Sequence, residues 1–411
     1  MSILPAQRLT VKPDDPAPQP KSSFDLRAAA RKIAEGELGS VRVLLVLVFI
    51  WIVFSIANDR FLSPANLTNL ALQIAGMGTI AIGVVLVLLL GEIDLSVGAV
   101  SGLAGGIMAT TSVLRGWPAW MAILAALAAG AVIGLIQGTI ATRLQIPSFV
   151  ITLAGLLAWQ GALLAVLGAN GTVNITDPAI TALAGTFLSP TFGWTLAVLA
   201  IAVVAGGELL RRRRRRAENL EVDRPALLAV RVGAIAAAVV AGTAVLGSER
   251  GVPLSLLILI GLVLLVNGLL RWSTFGRHVY AVGGNAEAAL RAGIRVNRVR
   301  ILVFMLASTL AAGGGILLAS RLMAVNQNSG ASDLLLLTIA SAVIGGVSLF
   351  GGRGSVWAAL LGALVIGSIS NGMDLLALES SVKFMVTGAV LVAAVSFDAI
   401  TRGRRRAHGR L

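Results

Sequence analysis

Twelve apolar runs of about 20 residues each follow one another along the chain, and they constrain its fold more than any other feature. A helix of about 20 residues crosses a hydrocarbon core about 30 Å thick. The runs start near Val43, Leu67, Val97, Trp117, Phe149, Trp194, Ala226, Val252, Ile301, Leu334, Val356 and Phe384. With 57% hydrophobic residues, 13% charged residues and a mean hydropathy of +0.90, the composition lies far from that of a soluble domain. The chain reads as all-α, a polytopic membrane bundle of about twelve helices. The first run follows a long polar stretch and no small-residue cleavage site closes it, so it does not read as a signal peptide.

Lysine and arginine accumulate on the cytoplasmic side of short loops. With the N-terminus inside, the inward segments hold 28 of the 33 basic residues, and an even number of helices with both termini cytoplasmic is favoured. The net charge of +14 is then mostly topological. No aromatic residues interleave the basic runs, which argues against nucleic-acid binding. The run "RRRRRR" at 211–216 reads as a cytoplasmic loop against anionic lipid headgroups. Three regions are expected: a disordered tail over 1–40 containing "KPDDPAPQPKSS", a membrane domain over 41–401, and a basic tail over 402–411.

Several chemistries are excluded. There is no cysteine, hence no disulfide or thiol chemistry. The four lysines, Lys12, Lys21, Lys32 and Lys383, sit in no phosphate-binding loop motif. His278 and His408 have no ligand partners nearby in sequence, and no cofactor or metal is expected. Apart from Glu92 and Asp94, the apolar spans carry almost no ionisable groups for a proton relay. No set of nucleophile, base and orienting group points to an enzyme.

The two acids stand in "GEIDLSVG", Gly91 to Gly98, between two apolar runs. A lipid-exposed carboxylate at mid-bilayer costs roughly 2.5–3.5 kcal/mol, so this stretch faces protein, water or headgroups. Three readings stay open. Asp94 or Ser96 caps the helix beginning at Val97, a contribution of about 1 kcal/mol, with Glu92 solvated. The loop is part of a cytoplasmic gate. Or Asp94 touches a substrate in a broken helix lining a cavity. A weak internal echo at an offset of 259 residues aligns "TIA" at 79–81 with "TIA" at 338–340 and sets Asp94 opposite Arg353, making the two candidate neighbours.

The segment "NAEAALRAGI" reads as a compact helix between breakers, with Gly283, Gly284 and Asn285 before Glu287, Ala288 and Ala289, and Gly293 after. It is either a solvated loop helix or a docking helix whose alanines enter a partner's groove. The spacing of Glu287-Ala288-Ala289 and Gly293 resembles the "EAA…G" loop of ABC importer permeases, although the later Leu-Pro of the fullest motif is missing. The resemblance extends over about residues 40–400. "EIDLSVG" (92–98), "IPSFVITLAG" (146–155), "NGTVNITDP" (170–178), "RGVPLSLLIL" (250–259), "FGRHVYAVGGNAEAALRAGI" (275–294) and "VIGGVSLFGGRGSV" (343–356) are similar to the ribose/xylose branch of sugar ABC permeases. The insertion around 190–247 resembles the xylose-type members.

That resemblance implies a permease homodimer in a bacterial inner membrane, with ATP-binding subunits at 275–295 and a periplasmic sugar-binding protein at the outward loop 168–193. A neutral sugar needs hydrogen-bonding groups and an aromatic face along its path. Gln73, Phe149, Thr152, Trp159, Gln160 and Asn371 are the pathway candidates, with Asn326 and Gln327 as further helix-borne ones. Each also has a packing explanation. A stand-alone secondary sugar transporter or channel is the alternative function.

Overall fold

The computed structural model describes residues 39–220, 222, 225–390, 392 and 396, which are mostly helical. The tail expected over 1–40 lies outside them except for Gly39 and Ser40, and the tail 402–411 lies outside them entirely. In chain order the helices are α1 (Gly39–Ala57), α2 (Pro64–Leu89), α3 (Val97–Ala109, prolonged by the wider turn Thr110–Leu114), α4 (Ala119–Arg143), α5 (Ser148–Leu167), α6 (Pro178–Gly185) and α7 (Pro190–Ala217). They continue as α8 (Pro225–Gly247), α9 (Leu254–Trp272), α10 (Thr274–Gly284), α11 (Ala286–Arg291), α12 (Val296–Leu322), α13 (Ser332–Ile344) and α14 (Trp357–Leu375), with residues 380–390 helical after that.

Helix starts follow local chemistry. Ser63-Pro64, Asp177-Pro178 and Ser189-Pro190 each put a proline at the first helical position, where no amide hydrogen is needed, after a residue whose oxygen caps the first turn. Ser63 Oγ accepts from the Asn66 amide at 3.3 Å and Asp177 Oδ1 from Ala179 at 2.9 Å.

Among the described residues nine helices are long and apolar enough to cross a membrane, and Val41–Ala57 and Asp333–Ile344 are apolar but shorter. The run near Phe384 opens in residues 380–390 and continues beyond the described residues. Two short antiparallel ladders qualify the all-α expectation. Strand β1 (Thr172–Asn174) pairs with β4 (Ala324–Asn326), and β2 (Phe187–Leu188) with β3 (Val252–Pro253). They supply partners for backbone groups in the long connection after α5, which a helix cannot satisfy outside itself. Asn326 is therefore a strand residue opposite Thr172 and Gln327 lies in the following turn. Neither is helix-borne.

Helices α2 and α12 form the centre. α12 packs along α4, α2 and α3, while α14 lies against α13, α2 and α1. α2 is apolar on every face and almost wholly buried, as expected of a core helix. α7 and α8 pack chiefly on each other, and none of α8's apolar stretch is buried.

The close packing of α4 on α12 depends on Gly130, Gly134 and Gly138, spaced four apart on one face of α4. A Cβ at Gly130 would meet Ser308 O at 2.7 Å, one at Gly134 would meet Met305 Cα at 2.7 Å, and one at Gly138 would meet Ile301 Cα at 3.0 Å. Backbones that approach this closely make association by packing possible where lipid gives no hydrophobic drive. Gly134→Val is expected to cost about 1–3 kcal/mol, the usual range for overpacking. Gly242→Ala, in α8 where nothing lies within 4 Å, is expected to stabilise by about 0.4–1 kcal/mol. Thermal unfolding of the detergent-solubilised chain checks both signs.

Candidate functional site

α2 stops at Leu89 and α3 starts at Val97, and the intervening segment is non-helical although both helices are deeply buried. Gly91, at φ +77°, makes the turn. The amides of Leu90 and Glu92 donate to Val87 O and that of Gly91 to Leu88 O, which closes the end of α2. Leu89 O has no acceptor role left within the helix. It receives the Gly352 amide, at 2.9 Å, from the loop between α13 and α14.

This contact requires glycine on every side. A Cβ on Gly283, at the end of α10, would strike Leu89 O and approach Gly352 N to 2.8 Å; one on Gly351 would meet both Gly283 O and Gly91 N at 2.7 Å. Gly351 and Gly352 have φ of +80° and +69°, a region that other residues enter at a cost. Tyr280 strengthens the junction from α10 by donating to Gly354 O at 3.0 Å. Burial raises its phenol pKa, with Arg271 opposing, so the group stays a donor. The break, α10 and the loop 346–356 thus meet backbone to backbone.

Just beyond Gly91 the segment carries a buried polar knot. Asp94 Oδ1 accepts from the Ser96 amide at 2.8 Å and from Ser96 Oγ at 2.7 Å. Ser96 Oγ in turn accepts from Gln137 Nε2 of α4 at 3.0 Å. Thr152 Oγ1 of α5 accepts from the Leu95 amide at 3.0 Å. Asp94, Ser96, Gln137 and Thr152 are all under 5% exposed, so the break is held from α4 and α5 without solvent. Asp94 Oδ2 has no hydrogen-bond partner. Burial raises the Asp94 pKa and the Ser96 hydrogen bonds work against that rise. Asp94 orders the residue preceding α3; Ser96 makes no side-chain cap of its own.

Glu92 points the other way. Its Oε1 lies 2.6 Å from Arg300 Nε of α12, an ion pair only partly screened by water. The pair borders a cavity of about 600 Å³ that is also lined by Gly91, Thr142, Gln145 and Phe149. Glu92 is thus paired rather than merely solvated. Arg353 is exposed and makes no ion pair with Asp94 among the described residues; its carbonyl accepts from Ser348. Asp94 spends its Oδ1 on Ser96, while the loop that carries Arg353 reaches the break through Gly351 against Gly91 and Gly352 against Leu89.

The pathway candidates scatter. Phe149 lines the cavity. Thr152 and Asn371 spend their polar groups on the protein, Asn371 Oδ1 accepting from Asn66 Nδ2 at 2.7 Å between α14 and α2. Trp159 is half-buried one turn beyond Gly155, where an added Cβ would crowd Gln137 and approach Trp159 Nε1 to 3.0 Å. Gln73 and Gln160 are half-buried, on α2 and α5 respectively, and join none of these contacts. Sequence reasoning missed Gln137, Arg300 and Tyr280. Gln137 had a signal, standing alone among apolar residues between Gly134 and Gly138.

The short helix α11 is built as the spacing implied. Asn285 caps it through the Ala288 amide at 2.9 Å, and Gly293 at φ +83° ends it. Glu287 and Arg291 pair along its outer face, Ala289 is buried, and Ala288 and Leu290 stand exposed. An exposed leucine thus stands beside a fixed ion pair on a helix joined directly to Gly283 and Gly284, which touch the break and its neighbouring loop.

The Asp94 environment fixes a pH dependence. A carboxyl group whose folded pKa is raised favours folding while protonated, and that contribution disappears as pH rises through the folded value. Thermal unfolding is expected to be higher near pH 5 than near pH 7.5, and Asp94→Asn is expected to remove this difference. Gln137→Leu is expected to lower stability by about 1–3 kcal/mol, because it deprives Ser96 of a donor in a dry site.

The chain is similar to one family pattern and to two kinds of sugar permease. Residues 66–395 match the family described as the permease component of the branched-chain amino acid transport system. The xylose transport system permease protein of Escherichia coli K12 is 36% identical over 363 residues, 88% of this chain and 91% of that protein. The corresponding protein of Haemophilus influenzae is 37% identical over 359 residues, 87% and 95% of the two chains. The ribose import permease protein of Bacillus subtilis is 32% identical over 362 residues, 88% and 92%. No solved structure matches. With the family pattern covering most of the chain, and with relatives above 30% identity along nearly their whole length, the chain belongs to this permease family, on the branch that holds the xylose and ribose transport permeases.

Proposed function

We propose that the chain is the membrane-spanning permease subunit of a binding-protein-dependent ABC importer for a neutral monosaccharide, with D-xylose as the substrate that its relatives favour. The observation that carries this reading is the direct contact between the coupling helices and the helix break, Gly283 against Leu89 O. ATP hydrolysis belongs to separate ATPase chains. They dock on α11, through Glu287, Ala288 and Leu290, and displace α10. Because Gly283, Gly351 and Gly91 touch without side chains, no flexible group absorbs that displacement. It moves the turn at Gly91, shifts Glu92 relative to Arg300, and opens or closes the cavity beside Phe149. Asp94, Ser96, Gln137 and Thr152 keep the far side of the break fixed, so the turn pivots instead of unravelling.

The rest of the assembly follows from the same reading. The permease works as a homodimer in a bacterial inner membrane, with about twelve helices and both termini cytoplasmic. A periplasmic sugar-binding protein meets the segment 168–193, which the two β-ladders brace. Arg353 contributes to the inner gate from the loop 346–356. Gln73, Trp159 and Gln160 remain pathway candidates along α2 and α5.

In proteoliposomes holding this chain, its ATPase and its binding protein, xylose with binding protein is expected to stimulate ATP hydrolysis. Glu287→Arg and Gly283→Leu are each expected to reduce that stimulation roughly tenfold, the scale of a typical coupling free energy. Gly283→Leu should still retain the ATPase on co-purification, because it leaves α11 exposed. Sugar movement by the chain alone, driven by an ion gradient, would overturn the reading in favour of a secondary transporter.

A further inference from the structure

We infer that the end of the α7–α8 hairpin is a binding site for a phosphate group, supplied by an anionic lipid headgroup. A cavity of about 180 Å³ there is lined by Arg211, Arg212 and Arg215 of α7, Arg231 of α8 and a single acid among the described residues, Glu208. Glu208 Oε1 is engaged by Arg211 Nη1 at 3.1 Å and lies 4.0 Å from Arg231 Nη1. Among the described residues the lining sets four guanidinium groups against one carboxylate, an excess of three positive charges. Arg212 Nε is buried and has no hydrogen-bond partner. A buried donor left open is costly, and a phosphate oxygen is the acceptor that arginine's planar fork is shaped to hold.

The hairpin's position selects the source. The two helices pack mostly on each other and expose Val198, Leu199, Val203, Val230 and Val240, which places them in lipid. From Pro190 to Gly207, α7 carries no charged residue, and at about 1.5 Å per residue this length spans about 27 Å, close to the hydrocarbon thickness. Arg211 therefore emerges where the headgroups begin. Glu208, one turn before Arg211, and Arg231 line the same cavity, which therefore sits at the end of the apolar stretch, where the headgroups begin. Basic pockets between membrane helices at this depth take acidic headgroups. Arg213, Arg214 and Arg216 of the same run do not line the cavity, which separates a built site from a diffuse charge.

Native mass spectrometry of the full chain, released from nanodiscs of phosphatidylglycerol and phosphatidylcholine, tests this. Wild type and Arg213→Gln/Arg216→Gln are expected to retain phosphatidylglycerol equally, and Arg212→Gln/Arg231→Gln to lose roughly tenfold of the retained lipid. Arg212→Lys keeps the charge but removes the Nε–H donor, and is expected to lose most of the retention too. Thermal unfolding of each variant verifies folding. Displacement of the lipid by millimolar inorganic phosphate would keep the site and assign it to free phosphate; resistance to phosphate would assign it to the headgroup. Equal loss in both double variants, or loss in neither, would overturn the inference.

Discussion

The carbonyl of Leu89 determines much of this structure. A helix that ends inside a membrane protein leaves its last carbonyls without water, and an unsatisfied one costs about 1–3 kcal/mol. α2 turns back on itself to satisfy Val87 and Leu88, and Leu89 takes its donor from Gly352. That single hydrogen bond brings the loop after α13 to the end of α2, and the approach is close enough that only glycine fits at 283 and 351. Glycine at those places then admits α10. A requirement of backbone chemistry thus places the α10–α11 pair in contact with the break between α2 and α3.

The two sides of the break differ in kind, and the difference suits motion. On the inner side Asp94, Ser96, Gln137 and Thr152 form a dry chain of hydrogen bonds, strong because the surroundings are apolar. On the cavity side Glu92 and Arg300 form an ion pair with water at hand, where attraction and desolvation nearly cancel. The first resists displacement and the second exchanges cheaply with solvent. Both depend on the packing of α4 and α12. The glycines of α4 bring the two helices close, Gln137 sits between two of those glycines, and Arg300 lies near the start of α12 against Ile301, which Gly138 touches.

Much of this was readable from sequence, and what was not shares a cause. The apolar runs and the short helix between Gly283-Gly284 and Gly293 are local patterns: nine of the runs are membrane-length helices among the described residues, and the short helix forms where the breakers place it. The family resemblance likewise agrees with the matched relatives. Gln137 and Arg300 were missed because their partners lie in other helices and no local pattern carries them. The internal echo between residues near 94 and 353 is instructive. It aligned two loops that do meet, through Gly352 and Leu89, and among the described residues that meeting is made by backbone and not by an ion pair of Asp94 with Arg353. Backbone contact leaves no trace in residue charge.

Hydropathy also fails to separate the mechanical core from the lipid face. α2 and α8 are similarly apolar, but α2 is almost wholly buried and α8 is not. In a bilayer an exposed valine costs nothing, so apolarity records membrane residence and not packing. Glycine alone does not resolve the ambiguity, because Gly206, Gly207, Gly233 and Gly242 of the hairpin meet no atom within 4 Å, unlike Gly130, Gly134 and Gly138. What distinguishes α4 is regularity: three glycines four apart align on one face, and a buried polar residue stands beside them. The hairpin has neither and instead ends in arginines. Its identity is set by what it meets at the membrane surface, and that of α4 by what it meets inside.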